Sequence, residues 1–164
     1  MNIVIRHADA ARDALAILDL RGGDVLNDKQ QQQYLVAIDI DQGQNGIVIV
    51  GCIRVRKVSF YQAEIMHLYV HAAYRRQGIG RKLLEAALAK ARDLKLPYVQ
   101  CTVRTTNHGM RMLACAAGGV WTVEFKSPIS THKLDVYHWL VLSDVATIEP
   151  GTYADWQRDD ACAV

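Results

Sequence analysis

The chain has 164 residues, 51% of them hydrophobic and 22% charged, with a formal net charge of +2. That length and apolar content support one sizeable core and favour one domain over two. The near-neutral balance is not that of a dedicated nucleic-acid binder, which carries a strongly basic face, and no run approaches the roughly 20 apolar residues that span a bilayer. The segment Met1–His7 turns polar after three apolar residues, without the long apolar stretch of a secretory signal. The expected location is cytoplasmic, with no nucleic-acid or membrane partner.

Ile3–Arg6 reads as a short strand and Asp9–Leu20 as a helix, with Leu15 and Leu18 among its apolar positions at helical spacing. The polar stretch Arg21–Gln33 reads as loop with some helix. Tyr34–Ile40 and Ile47–Val58 are rich in β-branched residues and flank the turn Asp41–Gly46, a pattern that suits an antiparallel hairpin. Ile65–Val70 is a further strand. Gly78–Leu94 reads as an amphipathic helix with Ile79, Leu83, Leu84, Ala87, Leu88, Ala91 and Leu94 on one face, and Pro97 follows its end. Tyr98–Val103 is a strand and Asn107–Ala117 a helix closed by Gly118 and Gly119. Val120–Lys126 and Leu134–Leu142 complete the sheet. Successive strands without intervening helices exclude an all-parallel order. The expected fold class is therefore α/β (α+β): a mixed central sheet of about six to seven strands flanked by helices, with a central parallel β-α-β crossover. The expected domain covers residues 1–142, and residues 143–164 form a tail with no firm assignment.

The four cysteines, Cys52, Cys101, Cys115 and Cys162, show neither CxxC spacing nor a paired histidine motif. Three of them lie within apolar segments, where a free thiol behaves as a small hydrophobe, and neither a metal site nor a disulfide framework is expected. Trp121, Trp139 and Trp156 read as packing residues.

The chemistry concentrates between Ala63 and Leu84, where a strand enters a loop that becomes the first turn of the long helix. Gly78 and Gly80 lie two apart, with Arg75, Arg76, Arg81 and Lys82 around them. The first amides of a helix lack intrahelical partners and carry partial positive charge. Glycines there let an oxygen-rich ligand approach the backbone, so the pattern suits a phosphate or pyrophosphate. A Rossmann fingerprint needs a third glycine where Leu83 stands, and a Walker A loop needs Gly-Lys-Ser/Thr where the chain reads Gly80-Arg81-Lys82. Neither fits, and a tight turn ahead of a helix is the plain alternative.

Arg75-x-x-Gly78-x-Gly80, preceded by Leu68-Tyr69-Val70 and followed by an amphipathic helix, resembles the acetyl-coenzyme A loop of the GNAT N-acetyltransferase family. Thr102–Asn107 resembles that family's fifth strand and the asparagine opening its next helix, and the order of elements is similar from about residue 3 to 142. The resemblance implies a GNAT-like fold and acetyl-CoA as acyl-donor cosubstrate. It implies that the backbone of Leu68, Tyr69 and Val70 pairs with the pantetheine arm, with an amide near Val70 polarising the thioester. It also implies that Arg76, Gln77, Gly78, Ile79, Gly80 and Arg81 surround the pyrophosphate and that Asn107 contacts the pantetheine or thiol end. Taken alone, Asn107 is equally an ordinary helix N-cap.

Transfer to an amine needs a base, because an alkyl amine with a lysine-like pKa of ~10.4 is almost wholly protonated at neutral pH. Histone-acetylating members of the resembled family carry a catalytic glutamate at the spacing of Glu64, in a similar Ala-Glu-Ile context. A carboxylate facing a partly apolar cleft has its pKa raised toward the useful range, and a solvated strand-edge glutamate is the alternative. Thr102 occupies a second family position for the base and cannot serve. His67, His71 and His108 are reserves, with His67 on the opposite face from Glu64 under strict alternation unless a bulge intervenes. Many members carry an acidic tyrosine where this chain has Ala114, followed by Cys115. The leaving thiolate then departs without a dedicated acid, takes its proton from water or a shifted Cys115, or is served by Tyr69, Tyr74 or Tyr137.

Two readings follow: an N-acetyltransferase working by direct attack in a ternary complex, and a catalytically degenerate acetyl-CoA-binding sensor or regulatory module. The acceptor, whether small molecule, peptide N-terminus or lysine, is shaped in the family by segments corresponding to Ala14–Tyr34 and Ser127–Tyr137. There Asp24 and Asp28 are candidates to attract a cationic amine. Many relatives dimerise, which leaves a homodimer open.

Overall fold

The computed structural model describes residues 1–24, 26–41 and 48–142. The turn at 42–46, Ile47, and the tail at 143–164 with Trp156 lie outside the described residues. Seven strands form one mixed sheet: β1 (Ile3–His7), β2 (Tyr34–Asp39), β3 (Val48–Lys57), β4 (Gln62–Val70), β5 (Tyr98–Arg104), β6 (Val120–Lys126) and β7 (Lys133–Leu140), in the order β1-β2-β3-β4-β5-β7-β6. The helices are α1 (Ala14–Arg21), α2 (Asp28–Gln31), α3 (Ile79–Asp93) and α4 (His108–Ala116). β4, α3 and β5 follow one another in the chain and β4 neighbours β5, so the crossover expected at the centre of the sheet is present. Among the described residues no helix is long and apolar enough to cross a membrane.

The described residues fall into two compact units, those within Met1–Arg56 with Ile65–Lys90, and Lys57–Glu64 with the described residues from Ala91 onward. In the first, β1 pairs antiparallel with β2 and β2 with β3, with a register shift between Ala37 and Ile38. β2 is buried along its whole length, as its run of apolar residues from Tyr34 to Ile38 requires. Ile17, Tyr34, Val36, Ile38 and Cys52 form one cluster of this core. The first helix departs from expectation. It begins at Ala14, because the Asp9 carboxylate caps a turn by accepting from the amides of Ala11 and Arg12, each at 3.0 Å. Ile17, not Leu15, is its core residue, and Leu15 is 74% exposed.

The polar Asp13 is 1% exposed and is held by Arg6 Nη2 at 2.9 Å and by the Asp9 amide at 2.7 Å. Burial pushes the Asp13 carboxyl up, but the Arg6 hydrogen bond, the Asp9 amide and the charges of Arg6 and Arg12 outweigh it, and its pKa lies below the ordinary value. A carboxylate depressed in the folded state contributes stability above its unfolded pKa and loses it as pH falls through the folded value. Asp13→Asn is therefore expected to cost about 1–3 kcal/mol at pH 7 and much less at a pH below the depressed folded value. Urea unfolding at the two pH values checks this, and an equal loss at both would sink it.

In α3, Ile79, Leu83, Leu84, Ala87 and Ala91 are buried at helical spacing. The helix stops one residue earlier than expected, at Asp93. Lys95 takes a left-handed φ of 57°, and the Leu96 amide folds back on the Ala91 carbonyl at 3.0 Å. Leu96 is thereby buried, whereas Leu94, placed on the apolar face by periodicity, is 51% exposed.

In the second unit β7 lies between β5 and β6, antiparallel to both. Trp121 Nε1 donates to the buried Asp135 at 2.9 Å, and Trp139 Nε1 to the Ala117 carbonyl at 3.1 Å, so both tryptophans pack as expected. A Cβ at Gly119 would stand 2.7 Å from the Trp139 ring, which is why a glycine closes this turn. Cys52 and Cys101 are buried free thiols. Cys115 is disulfide-bonded, which corrects the expectation of free thiols throughout.

Candidate functional site

The buried alternation of β4, Ala63 then Ile65, stops at His67, where Met66, His67 and Leu68 are all half-buried. His67 has φ of 51°, a left-handed conformation that costs a non-glycine residue on the order of 1–2 kcal/mol. The irregularity allowed for in this strand is present, so strict alternation does not decide which way His67 faces. Its Nδ1 lies 2.6 Å from the hydroxyl of the fully buried Tyr34. Burial, above all, pushes the Tyr34 phenol up to about 12. Tyr34 therefore keeps its proton, and its phenol is able to donate to Nδ1. The Cys52 thiol reaches the His67 carbonyl at 4.0 Å.

Past the irregularity, Leu68, Tyr69 and Val70 lead into the loop. The His71 amide donates to the Val50 carbonyl at 2.8 Å, and a 3₁₀ turn, Ala72–Tyr74, follows with the His71 side chain as its cap. Arg75 Nε returns to the Val70 carbonyl at 3.0 Å and Gln77 Nε2 to the Ala73 carbonyl at 3.2 Å. Arg75 and Gln77 thus shape the loop. Arg76 and Gly78 take left-handed φ values of 63° and 78°. No atom lies within 4 Å of where a Cβ on Gly78 would stand, so backbone conformation, with open space beside it, accounts for that glycine. The Lys82 amide closes the first turn of α3 on the Gly78 carbonyl at 3.1 Å. The amides of Ile79, Gly80 and Arg81 precede that closure, at the positively polarised end of the helix. Arg76, Arg81 and Lys82 are exposed, and Arg81 pairs with Glu85 at 2.8 Å. Such a surface pair is worth little and does not bar Arg81 from an anion.

Gly51 belongs to this site and is absent from the residues singled out by sequence. A Cβ there would stand 3.0 Å from both the Tyr69 carbonyl oxygen and Leu83 Cδ1, and 3.5 Å from Ile79 Cγ2. The missing side chain lets the first turn of α3 seat against β3 and β4. A lone glycine inside a β-branched strand was the available signal.

In the second unit Glu64 is half-buried in β4, two residues from Gln62, whose side chain meets Gln100 at 3.3 Å. Burial pushes the Cys101 thiol up to about 12, and the nearby Glu64 charge adds to this. Asn107 is the N-cap of α4, its Oδ1 accepting from the Met110 amide at 3.1 Å. The ordinary capping role is thus filled, and its NH2 is the group left to address a ligand. Ala114 is fully buried and Thr102 exposed. Tyr137 is fully buried in β7, whereas Tyr69 is 38% exposed. Cys115, disulfide-bonded, has no thiol proton to give. Asp24 and Asp28 are both exposed. Among the described residues no three His, Cys, Asp or Glu side chains gather as a metal-binding group.

The family model described as "Acetyltransferase (GNAT) family" matches residues 8–115. No curated protein sequence matches the chain. Among solved structures, yncA from Salmonella typhimurium, with its cofactor acetyl-CoA, is similar at a TM-score of 0.69 and 20% identity over 87% of this chain and 95% of its own. Ard1 from Thermoplasma volcanium superposes at 0.72 and 20% identity, over 87% and 99%. Diaminobutyrate acetyltransferase EctA from Paenibacillus lautus, in complex with L-2,4-diaminobutyric acid and coenzyme A, does so at 0.66 and 19%, over 87% and 98%. At these identities the likeness speaks for the fold, and the family match covers well over half of the chain. The chain is a member of the GNAT acetyltransferase family.

Proposed function

We propose that the protein transfers the acetyl group of acetyl-CoA to a primary amine by direct attack within a ternary complex. The observation that carries this reading is the head of α3: amides ahead of the first helical hydrogen bond, open space at Gly78, and exposed Arg76 and Lys82 beside them. That arrangement suits a diphosphate. In this reading Arg76, Gln77, Gly78, Ile79, Gly80 and Arg81 hold the pyrophosphate, and the backbone of Leu68, Tyr69 and Val70 lines the pantetheine arm. Asn107 offers its NH2 to the pantetheine. Glu64 removes the amine proton, directly or through water. The thiolate leaves without a side-chain acid at Ala114, which is tolerable because a thiol has a pKa of about 8.5.

The acceptor is an amine on a small molecule or a peptide, a reading supported by EctA with its diaminobutyric acid. Thiol release from acetyl-CoA across a panel of diamines, amino acids, peptide N-termini and lysine peptides tests the assignment. Turnover on at least one class is expected. Micromolar CoA binding with no turnover on any amine would instead support the degenerate sensor, for which the buried Ala114 is the favouring observation.

A further inference from the structure

Inside β4, between Glu64 and the segment Leu68–Val70, stands a residue whose backbone a strand does not accommodate. His67 is left-handed, and two residues converge on it, Tyr34 with a hydrogen bond and a ring contact and Cys52 with its thiol. The buried Tyr34 hydroxyl sits 2.6 Å from its Nδ1, the two rings stack with centroids 6.2 Å apart, and the Cys52 thiol approaches its carbonyl at 4.0 Å. Tyr34 comes from β2 and Cys52 from β3, the strand next to β4, so the side chain and the carbonyl of His67 are held from two different strands. A left-handed residue in a strand interrupts the ladder and re-aims the residues that follow. Such a conformation persists only where its surroundings over-determine it.

We propose that Tyr34 is a positioning residue for acetyl transfer: through its hydrogen bond to His67 it pins the break in β4 and so sets where the backbone of Leu68, Tyr69 and Val70 presents itself to the thioester. The catalytic part of this inference rests on the acetyl-CoA reading above, whereas the pin itself does not. In that reading the loop at 76–81 holds the pyrophosphate and does not depend on the pin, so loosening the pin misplaces the thioester while the diphosphate contacts stay in place. A misplacement of about 1 Å can cost on the order of 10²-fold in rate.

Tyr34→Phe deletes one oxygen and keeps the ring. It is expected to accelerate hydrogen exchange at the Leu68, Tyr69 and Val70 amides at least about tenfold, and to lower kcat about tenfold while CoA affinity stays within about twofold. His67→Gly, which accepts the left-handed backbone but removes the acceptor, is expected to lose kcat to the same extent. The double variant is expected to lose no more than either single one, since both remove one interaction. Unchanged exchange at the three amides in Tyr34→Phe overturns the pin, whether or not an acceptor has been found. Altered exchange with unchanged kcat, or additive losses in the double variant, overturns its role in transfer. Absence of CoA binding in the wild-type protein, by contrast, counts against the acetyl-CoA reading and leaves the exchange result to decide the pin.

Discussion

Gly80→Glu is expected to weaken CoA binding by at least about 100-fold. A carboxylate at this position stands in the first turn of α3, where the preceding amides are proposed to receive the pyrophosphate. Two unit charges about 4 Å apart near a protein surface repel by ~4 kcal/mol. Halving that for solvent exposure still leaves about 2 kcal/mol, or roughly 30-fold, and the bulk of the side chain in the ligand's path adds to it. A glutamate in the first turn of a helix interacts favourably with its dipole by about 0.3–1 kcal/mol, which works against loss of the helix itself. Calorimetric titration with CoA, alongside thermal unfolding, therefore separates lost binding from lost structure. Gly80→Ala, which adds a Cβ without charge, is expected to fall between. Affinity for the glutamate variant within threefold of wild type would remove the pyrophosphate from the head of α3.

The features legible in the sequence were those written in local patterns. Alternating β-branched runs and 3.6-residue periodicity located the seven strands and the long helix, and two glycines among basic residues marked the loop. What escaped depends on contacts between residues far apart in the chain. Leu15 and Ile17 are equally apolar, and only the capped turn at Asp9 decides which of them meets the core cluster. Leu94 fits the helical period, but the left-handed Lys95 ends the helix and delivers Leu96 in its stead. Gly51 reads as one weak position in a strand until Leu83 and the Tyr69 carbonyl are seen against it. The Tyr34–His67 contact joins residues 33 positions apart, which no periodicity reveals.

Glu64→Gln is expected to lower kcat/KM about 100-fold at pH 7, at the lower end of what a positioned general base contributes. The acceptor amine is the reason. With a pKa of ~10.4, about one molecule in a few thousand is neutral at pH 7, so transfer depends on a group that takes the proton at the site. Raising the pH to about 10 supplies neutral amine from solution, and the variant is expected to recover to within about tenfold of wild type. Glutamine preserves the size of the side chain, and Glu64 lies on a half-buried strand position outside the loop at 76–81. CoA affinity should therefore be unchanged, which distinguishes this variant from Gly80→Glu. Glu64 is half-buried in β4, and its charge adds to the upward push on the buried Cys101 thiol. If Glu64 is instead a solvated strand-edge residue, replacement leaves the pH–rate profile as it was. Parallel profiles for wild type and variant between pH 6 and about 10 would take Glu64 out of the mechanism and pass the proton to solvent.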